Sequence, residues 1–474
     1  MRARSIFAGF AAGVAALAAA GCGGMSSVGS TSLGGAATIA PSDSVAFVAF
    51  DSNLSSGQWN AVDGLLQKFP AHDDLLTKLR TAFEQRSKLS WSNDVKPALG
   101  SELDLIALPG PGPGSSKDAQ LVGLTQGSDK PKLDALLHKV DTGISTVQIG
   151  DWTAFSRSQA ALDAVQNAST KLADNNTYQA AIAKLASDAL VRAYANGAEA
   201  QQLLTSLGTQ SAADSSVPFA WASADVVASG DGVRINGYSH DSATSGSTTA
   251  PAAPYASSLV DEIPSGALLV ADFPVTPGEL QVSPGSLPKP LQTLLGNSPA
   301  ILPDLDQLLG GETALYVRPG LPIPEVTLVT QPVDVPKAET ALDDLLKTIR
   351  AAAAGAKGGI DLSSVPVFHK AVGGRLIVST SQQGIADFTS GGTKLSADPS
   401  FSGAQHASAM PAQTTGFLYV NLAAALPLVQ AVGPMLGLNV PTSGQADLSA
   451  LKTLTAFGGR AGQDSTFSVF VEVR

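Results

Sequence analysis

The sequence predicts an α+β protein built from two duplicated units, each an antiparallel sheet with helices packed on one face. Three observations support this prediction. Short apolar runs typical of strands alternate with segments whose apolar residues recur at helical spacing. Several groups of residues occur twice, in the same order, in the two halves of the 474-residue chain. The last strands of each half are separated by short Gly-containing turns, which is typical of antiparallel hairpins.

The chain begins with a segment typical of a secretory signal. Arg2 and Arg4 give it a basic start, and an apolar stretch over residues 6–20 ends in small residues. A charged start, a short apolar stretch and small residues at the cleavage point define such a signal. The stretch is shorter than the roughly 20 apolar residues that a membrane-spanning helix needs. We therefore expect residues 1–21 to be a lipoprotein signal peptide that is removed.

Cys22 is the single cysteine of the chain and directly follows Ala19-Ala20-Gly21. This arrangement resembles a bacterial lipobox, which implies that a diacylglycerol is attached to the sulfur. An unpaired cysteine in an oxidising compartment is otherwise a liability. The alternative is an ordinary secretory signal cut nearby, which would leave Cys22 as a free thiol. We expect the protein to be lipid-anchored on the outer face of the cytoplasmic membrane, at the cell surface.

Residues 22–37 are rich in Gly and Ser, which is typical of a flexible tether.

Composition limits the partners that the chain can have. A hydrophobic content of 44% is enough for packed cores, and the formal net charge is -11. This acidity argues against nucleic-acid binding and against electrostatic docking on anionic lipids. We expect contact with the membrane through the lipid anchor alone.

The duplication predicts two domains, over residues 38–240 and 258–474, joined by a linker over residues 241–257 that is rich in small polar residues and Pro. Chance does not preserve both order and spacing over a whole series of matches. The matched groups are Ala40-Pro41-Ser42 with Ile263-Pro264-Ser265, Leu99-Gly100-Ser101-Glu102 with Leu309-Gly310-Gly311-Glu312, Ser156-Arg157-Ser158-Gln159 with Ser379-Thr380-Ser381-Gln382, Lys171-Leu172 with Lys394-Leu395, and Tyr194-Ala195-Asn196 with Tyr419-Val420-Asn421.

The first copy shows its elements most clearly. Apolar runs predict strands over residues 45–51, 102–108, 121–125 and 152–156, and helical spacing predicts helices after Pro131 and from Gln159. Hairpins are expected where residues 220–228 meet 233–240 and where 454–460 meet 466–473. Alternation in the last strands favours a sheet with one face in water.

An Asp-x-Pro-Lys pattern occurs in both copies, at Asp129-Lys130-Pro131-Lys132 and Asp334-Val335-Pro336-Lys337. An Asp before a helix can accept a hydrogen bond from a backbone N–H of the first turn, where Pro is tolerated. We therefore interpret both as helix caps. The functional alternative is a ligand contact at the helix start.

The titratable residues form no pattern typical of catalysis or metal binding. The five histidines are scattered, at His72, His138, His240, His369 and His406, and none has a partner at metal-ligand spacing. Ser286 and Lys289 match Ser-x-x-Lys, but neighbouring prolines argue against the helix that this chemistry needs. The pairs Asp73-Asp74 and Asp343-Asp344 do not share a helix face. We expect no enzyme activity, no cofactor and no metal.

The lipobox start, the paired Pro-Ser openings and Gly374-Arg375-Leu376-Ile377-Val378-Ser379-Thr380-Ser381 resemble an uncharacterised family of actinobacterial lipoproteins, known as a domain of unknown function. The resemblance covers most of the mature chain. It implies an envelope location and supplies no catalytic residues.

These observations favour a lipid-anchored extracytoplasmic protein of unknown molecular activity. We expect a non-enzymatic binding or envelope-associated module that recognises an envelope protein or ligand. The alternative is an envelope carrier that holds an apolar or lipid ligand between sheet and helices. A hydrolase ranks last, because no nucleophile stands in a recognisable constellation.

Overall fold

The computed structural model describes residues 33–70, 72–110, 120–127, 129–197, 200, 219–242, 253–276, 301–320, 324–354, 365–432 and 447–474. The chain divides into two compact units. Within the described residues, the first unit holds residues 33–242 together with Gln463–Thr466, and the second holds residues 253–462 and Phe467–Arg474.

The first unit alternates strands with short helices. Its elements are β1 (Ala46–Asp51), α1 (Gly57–Leu66), α2 (His72–Ser87), β2 (Gly100–Leu108), β3 (Gln120–Gly127), α3 (Lys130–Val140), β4 (Ser145–Ile149), β5 (Trp152–Ser156), α4 (Gln159–Gln166), α5 (Asn176–Ile182), β6 (Val191–Asn196), β7 (Phe219–Ser229) and β8 (Gly232–Asp241).

The second unit follows a similar order. Its elements are β9 (Leu269–Val275), α6 (Ile301–Leu308), β10 (Gly311–Arg318), β11 (Glu325–Thr330), α7 (Val335–Ala354), β12 (Phe368–Val372), β13 (Arg375–Ser379), α8 (Gln382–Thr389), α9 (Pro399–Ser408), β14 (Phe417–Val420), α10 (Leu422–Val432), β15 (Leu451–Ala461) and β16 (Asp464–Val473). None of the described helices combines the length and apolar character that crossing a membrane requires.

Hydrogen bonding arranges the strands of each unit around its first strand. The order is β8-β7-β6-β1-β2-β3-β5-β4 in the first unit and β16-β15-β14-β9-β10-β11-β13-β12 in the second. The pairings of β1 with β2 and β6, and of β9 with β10 and β14, are antiparallel. The predicted α+β class is therefore confirmed, as are the strands predicted at β1, β2, β3 and β5, the helices predicted at α3 and α4, and the β7–β8 hairpin.

Helices pack on both faces of each sheet, where the sequence had predicted one face. Neighbouring residues of a strand point to opposite faces. Ala154 belongs to a core cluster that includes α4 and α5, whereas Phe155 belongs to a second cluster with α3. In the second unit, Ile377 and Leu376 likewise belong to separate clusters. The single-face prediction is wrong because alternation reveals which residues share a face but not what covers it.

Each sheet has two faces, which we call the strap face and the apolar face. The strap face of the first sheet carries Phe47, Ala49, Asp104, Ile106 and Tyr194, and that of the second carries Val270, Asp272, Ala314, Tyr316 and Tyr419. The opposite, apolar face carries Val48, Leu105, Ala193 and Ala224 in the first unit, and Ala271, Leu315, Leu418 and Ala456 in the second.

The segment before the first strand of each unit packs on the strap face, and we call residues 33–40 and 255–263 the first and second straps. Leu33, Ala36, Ala37 and Ala40 are buried in the same core cluster as Phe47 and Ile106. Leu259 and Ile263 are buried with Val270 and Tyr316. The strap face therefore has its apolar residues covered by its own chain.

These contacts move two predicted boundaries. The tether was predicted to extend to residue 37, but residues 33–37 belong to the first strap because their Leu and Ala side chains are buried. The linker was predicted to span residues 241–257. Asp241 instead ends β8. Tyr255 forms a β-bridge with Thr414, so its segment belongs to the second unit.

Candidate functional site

The structure gives the residues singled out in the sequence largely structural positions. Cys22, Ser286 and Lys289 lie outside the described residues. The two predicted helix caps are confirmed, because the Asp129 carboxylate accepts a hydrogen bond from the Lys132 N–H at 3.2 Å and Asp334 accepts one from the Lys337 N–H at 3.1 Å. The N–H bonds hold the pKa of both carboxyls below its usual range.

The remaining predicted candidates lie apart on the surface of the two units. Asp73, Asp74, Asp343 and Asp344 are exposed on α2 and α7, and the five histidines are exposed or half-buried on separate elements. Within the part of the chain that the structure describes, no three His, Cys, Asp or Glu side chains come close enough to hold a metal ion.

The strongest cluster of titratable groups lies beneath the first strap. The Glu102 carboxylate accepts hydrogen bonds from the backbone N–H groups of Gly34, at 2.5 Å, and Gly35, at 3.1 Å. Arg192 donates to the carbonyl oxygens of Leu33, at 2.7 Å, and Ile182, at 3.0 Å. Gly34 has a φ of 103°, which favours glycine. Two charged side chains thus fix the start of the strap.

Asp104 is the most deeply buried carboxyl group of this cluster, with 0% of its surface exposed. It lies two residues after Glu102 on the same face of β2, against the Glu102 carboxyl and the N–H of Ala36. Neither of its oxygens makes a hydrogen bond of good geometry. Burial, and then the neighbouring Glu102, raise the pKa of Asp104 well above its usual range. Burial also raises the pKa of Glu102.

The second strap is also held by two acidic side chains, Glu312 and Asp272, which accept hydrogen bonds from both backbone N–H and hydroxyl groups. Glu312 accepts hydrogen bonds from the N–H groups of Ser258, at 2.7 Å, and Leu259, at 3.0 Å. Asp272 accepts hydrogen bonds from the hydroxyls of Tyr255 and Ser257, the latter at 2.6 Å. Burial raises the pKa of Asp272 to about 6, and the two hydroxyl bonds oppose this increase.

The two buried aspartates occupy neighbouring places in their sheets. Asp104 on β2 lies opposite Ala49 on β1, whereas Asp272 on β9 lies opposite Ala314 on β10. Each unit therefore has one buried Asp in the same cross-strand pair, contributed by a different strand. These carboxyls face backbone N–H and hydroxyl groups of the straps, and this geometry helps to hold the straps on the sheets.

The apolar faces of the two sheets carry rows of uncharged side chains, in contrast to the buried charged groups on the strap faces. On the first sheet, one row of cross-strand partners consists of Leu105, Val48, Ala193, Ala224 and Gly237. On the second, Leu328, Leu315, Ala271, Leu418 and Ala456 form such a row. Most of these side chains are only half-buried. Four larger side chains on the apolar faces are 37–40% exposed: Leu121 and Ile235 in the first unit, and Phe273 and Val326 in the second.

The polarity of the central strands is therefore the reverse of the usual arrangement. An antiparallel sheet with one solvated face normally turns its polar residues outward. Here Asp104, Arg192 and Asp225 are buried on the strap face, and the half-exposed face is apolar. β16 shows the same reversal, since Glu472 is buried whereas Phe467 is 51% exposed. The sheet face that the sequence predicted to lie in water thus carries apolar side chains.

Sequence reasoning missed Glu102, Asp104, Arg192 and Asp272. Two signals were present. Glu102 and Glu312 fall in one of the matched groups of the duplication, and Asp104 interrupts an otherwise apolar strand. Alternation alone assigns such charged residues to the solvent face, so the signal pointed the wrong way.

No family model matches the chain, and no curated protein is similar to it. Crystal form III of TP0453 is similar over 45% of this chain and 80% of that chain, with 10% identity and a TM-score of 0.25. Crystal form I of TP0453 is similar over 48% of this chain and 82% of that chain, with 9% identity and a TM-score of 0.25. Such a distant likeness supports no conclusion about fold or function.

Proposed function

We propose that this chain is a lipid-anchored extracytoplasmic binding protein that performs no enzymatic chemistry and docks an envelope partner on its apolar sheet faces. The observation that carries the proposal is the reversed polarity of the sheets. Exposed contiguous apolar surfaces on soluble domains mark sites of interaction. A face built from Val48, Ala193 and Ala224, without a charged side chain in the row, suits an uncharged surface laid flat against it.

The use of the buried carboxyl groups supports the non-enzymatic part of the proposal. Strongly perturbed carboxyls are the usual candidates for acid–base catalysis. Here Glu102 and Glu312 are occupied by backbone N–H groups of the straps, and Asp104 is fully buried beneath one of them. The raised pKa values of Glu102 and Asp104 are thereby explained by a structural role.

We also propose that the two units are copies of one ancestral unit. Support comes from the two strand orders, because each of the strands β1 to β8 occupies the same position in its sheet as the corresponding strand of β9 to β16. Further support comes from the residue that directly follows each strap, since Pro41 forms a β-bridge with Lys171 and Pro264 forms one with Lys394. The resemblance to actinobacterial lipoproteins of unknown function stays part of this proposal.

The anchor is tested by replacing the residue that would carry the lipid. We expect the Cys22→Ser variant to leave the membrane fraction, because no other segment is proposed to hold the protein there. The measurement is fractionation of cells that express the parent or the variant chain. Retention of the variant in the membrane fraction at the parent's level would refute lipid anchoring.

A second candidate is an envelope carrier of an apolar or lipid ligand. The uncharged apolar rows favour it, because an acyl chain needs no polar partner. The two candidates separate when the full chain is purified from native membranes and the bound proteins and lipids are identified by mass spectrometry. A stoichiometric protein supports the binding module, and a stoichiometric lipid supports the carrier.

Matched variants connect that result to the apolar face. Ala193→Glu and Ala224→Glu place a charge on the apolar face of the first unit, whereas Ala160→Glu places one at an exposed position of α4. We expect the first two variants to lose the co-purifying molecule and the third to keep it. Equal retention by all three would exclude this face as the binding surface.

A further inference from the structure

The first strap begins with backbone N–H groups that converge on two acidic side chains. The N–H groups of Gly34 and Gly35 donate to Glu102, and that of Ala36 approaches Asp104. These N–H groups open the 3₁₀ helix Gly35–Thr38, where they have no partner within the helix. Two neighbouring carboxyl groups therefore contribute to the attachment of the strap, beside its buried apolar side chains and the Arg192 hydrogen bond to Leu33.

The charges around this pair are unbalanced. Acidic groups contribute from β1, β2 and β7, through Asp51, Glu102 together with Asp104, and Asp225. Arg192 on β6 is the cation that acts on Glu102 and Asp225, and Arg234 on β8 also acts on Asp225. The phenol rings of Tyr178 on α5 and Tyr194 on β6, which contact each other edge to face, complete the surroundings, and burial raises the pKa of Tyr178.

Two carboxyl groups in contact in a buried site cannot both ionise without a large electrostatic cost. With one proton between them, Glu102 keeps its charge for the N–H groups of the strap while Asp104 stays neutral. When that proton is lost, two negative charges lie side by side under a strap that can solvate only part of them. Lifting the strap admits water and relieves this repulsion.

We propose that Glu102 and Asp104 form a proton-dependent latch, which holds residues 33–40 on the first sheet while the pair keeps one proton and releases them when the proton is lost. The strap directly follows residues 22–32, the part of the predicted tether that lies outside it. Because an extended residue spans at most about 3.3–3.6 Å, release would lengthen the tether by roughly 26–29 Å. Only this last consequence rests on the proposed lipid anchor.

The second strap provides an internal comparison. Its buried Asp272 receives hydrogen bonds from Tyr255 and Ser257, so its ionised form is solvated by hydroxyl donors already in place. Asp104 has no such donors among the described residues. Loss of a proton should therefore loosen the first strap and leave the second strap in place.

The test is hydrogen exchange of the full-length chain, followed by mass spectrometry, between pH 6 and pH 9. Exchange is corrected for its intrinsic dependence on pH. We expect residues 33–40 to lose protection as the pH rises, by up to about tenfold per pH unit, since one proton is linked to release. Residues 255–263 and Trp152–Ser156 should keep their protection.

Two variants assign the effect to the pair. Asp104→Asn cannot ionise, so residues 33–40 should stay protected at every pH. Asp104→Ala places at this position the residue type found at Ala314, which lies in the matching cross-strand pair of the second unit, and serves if the Asn variant does not fold. Asp272→Asn should leave the pH response of the first strap unchanged.

Three results would overturn the latch. One is corrected exchange of residues 33–40 that is the same at pH 6 and pH 9. Another is an unchanged pH response in a folded Asp104 variant. The third is parallel loss of protection in Trp152–Ser156, because that would indicate unfolding of the whole unit rather than release of the strap.

Discussion

Asp51 illustrates how a single residue on the strap face responds to burial. It ends β1, and its carboxylate accepts hydrogen bonds from the Ser56 hydroxyl and from the Asn53 N–H at 2.9 Å. Burial nevertheless raises the pKa of Asp51 from 3.8 to about 6. A carboxyl whose pKa is raised by folding favours the folded state while it is protonated. That contribution is lost as the pH rises from about 4 through about 6.

We predict that Asp51→Asn removes this dependence on pH. The amide keeps the shape of the side chain, its oxygen can accept from Asn53, and the Ser56 hydroxyl can turn to accept from its NH₂ group. Urea unfolding at pH 4.5 and pH 7.5 gives the free energy of unfolding of parent and variant. The parent should lose stability relative to the variant between these pH values, by at most about 1.4 kcal/mol per pH unit. A constant difference between the two proteins would contradict the assigned pKa.

At this scale, the helix caps were predictable from sequence and the buried acids were not. Asp129 and Asp334 stand just before a Pro-containing first turn, so local chemistry alone determines their role. Asp104 depends on a strap that is distant in sequence, and its neighbours in β2 indicate only a strand. Tertiary packing therefore decides its environment.

Among the elements, the helices after β5 and β13 begin in the same way. Ser158 caps α4 by accepting a hydrogen bond from the Ala161 N–H at 3.2 Å. Ser381 caps α8 by accepting from the N–H groups of Gln383, at 3.1 Å, and Gly384, at 3.3 Å. Both helices pack on the strap face, through residues that include Leu162 and Phe388.

We predict that Ser158→Ala and Ser381→Ala each lower the free energy of unfolding by about 1 kcal/mol, because each leaves a helix N-terminus without its side-chain acceptor. Ser402→Ala provides the control, since Ser402 is exposed within α9 and surface substitutions usually change stability by less than about 0.5 kcal/mol. The measurement is urea unfolding at neutral pH. Cap variants as stable as the control would show that these hydroxyls do not contribute.

The strands and hairpins were predictable because apolar runs and Gly turns are local signals, but the side that faces solvent was not. In β7, Trp221, Ser223 and Asp225 are buried whereas Ala222 and Ala224 are half-buried. Alternation gives the two sets correctly. Which set lies inside depends on the strap and on α5, neither of which the sequence placed over the sheet.

For the whole molecule, the proposed duplication predicts that each half can fold by itself. A unit of around 200 residues is large enough to hold its own core, and each unit has clusters of fully buried side chains. The connection over residues 243–252 lies outside the described residues, and its small polar composition favours cleavage there.

We predict that limited proteolysis first yields two folded fragments, separated between residues 242 and 255. Mass spectrometry identifies the cut, and thermal unfolding of each purified fragment tests whether it folds cooperatively. Early cleavage within β1 or β16, or a second fragment without a cooperative transition, would mean that the halves share one core.

The central claim, that the apolar face is the binding surface, is tested most directly by crosslinking in cells. A photoreactive amino acid is placed at position 193 on the apolar face or at position 160 on the exposed side of α4, each replacing an alanine. We predict a defined adduct at position 193, of protein mass for a binding module or lipid mass for a carrier, and none at position 160. Absence of an adduct at position 193, or equal labelling at both positions, would contradict the account.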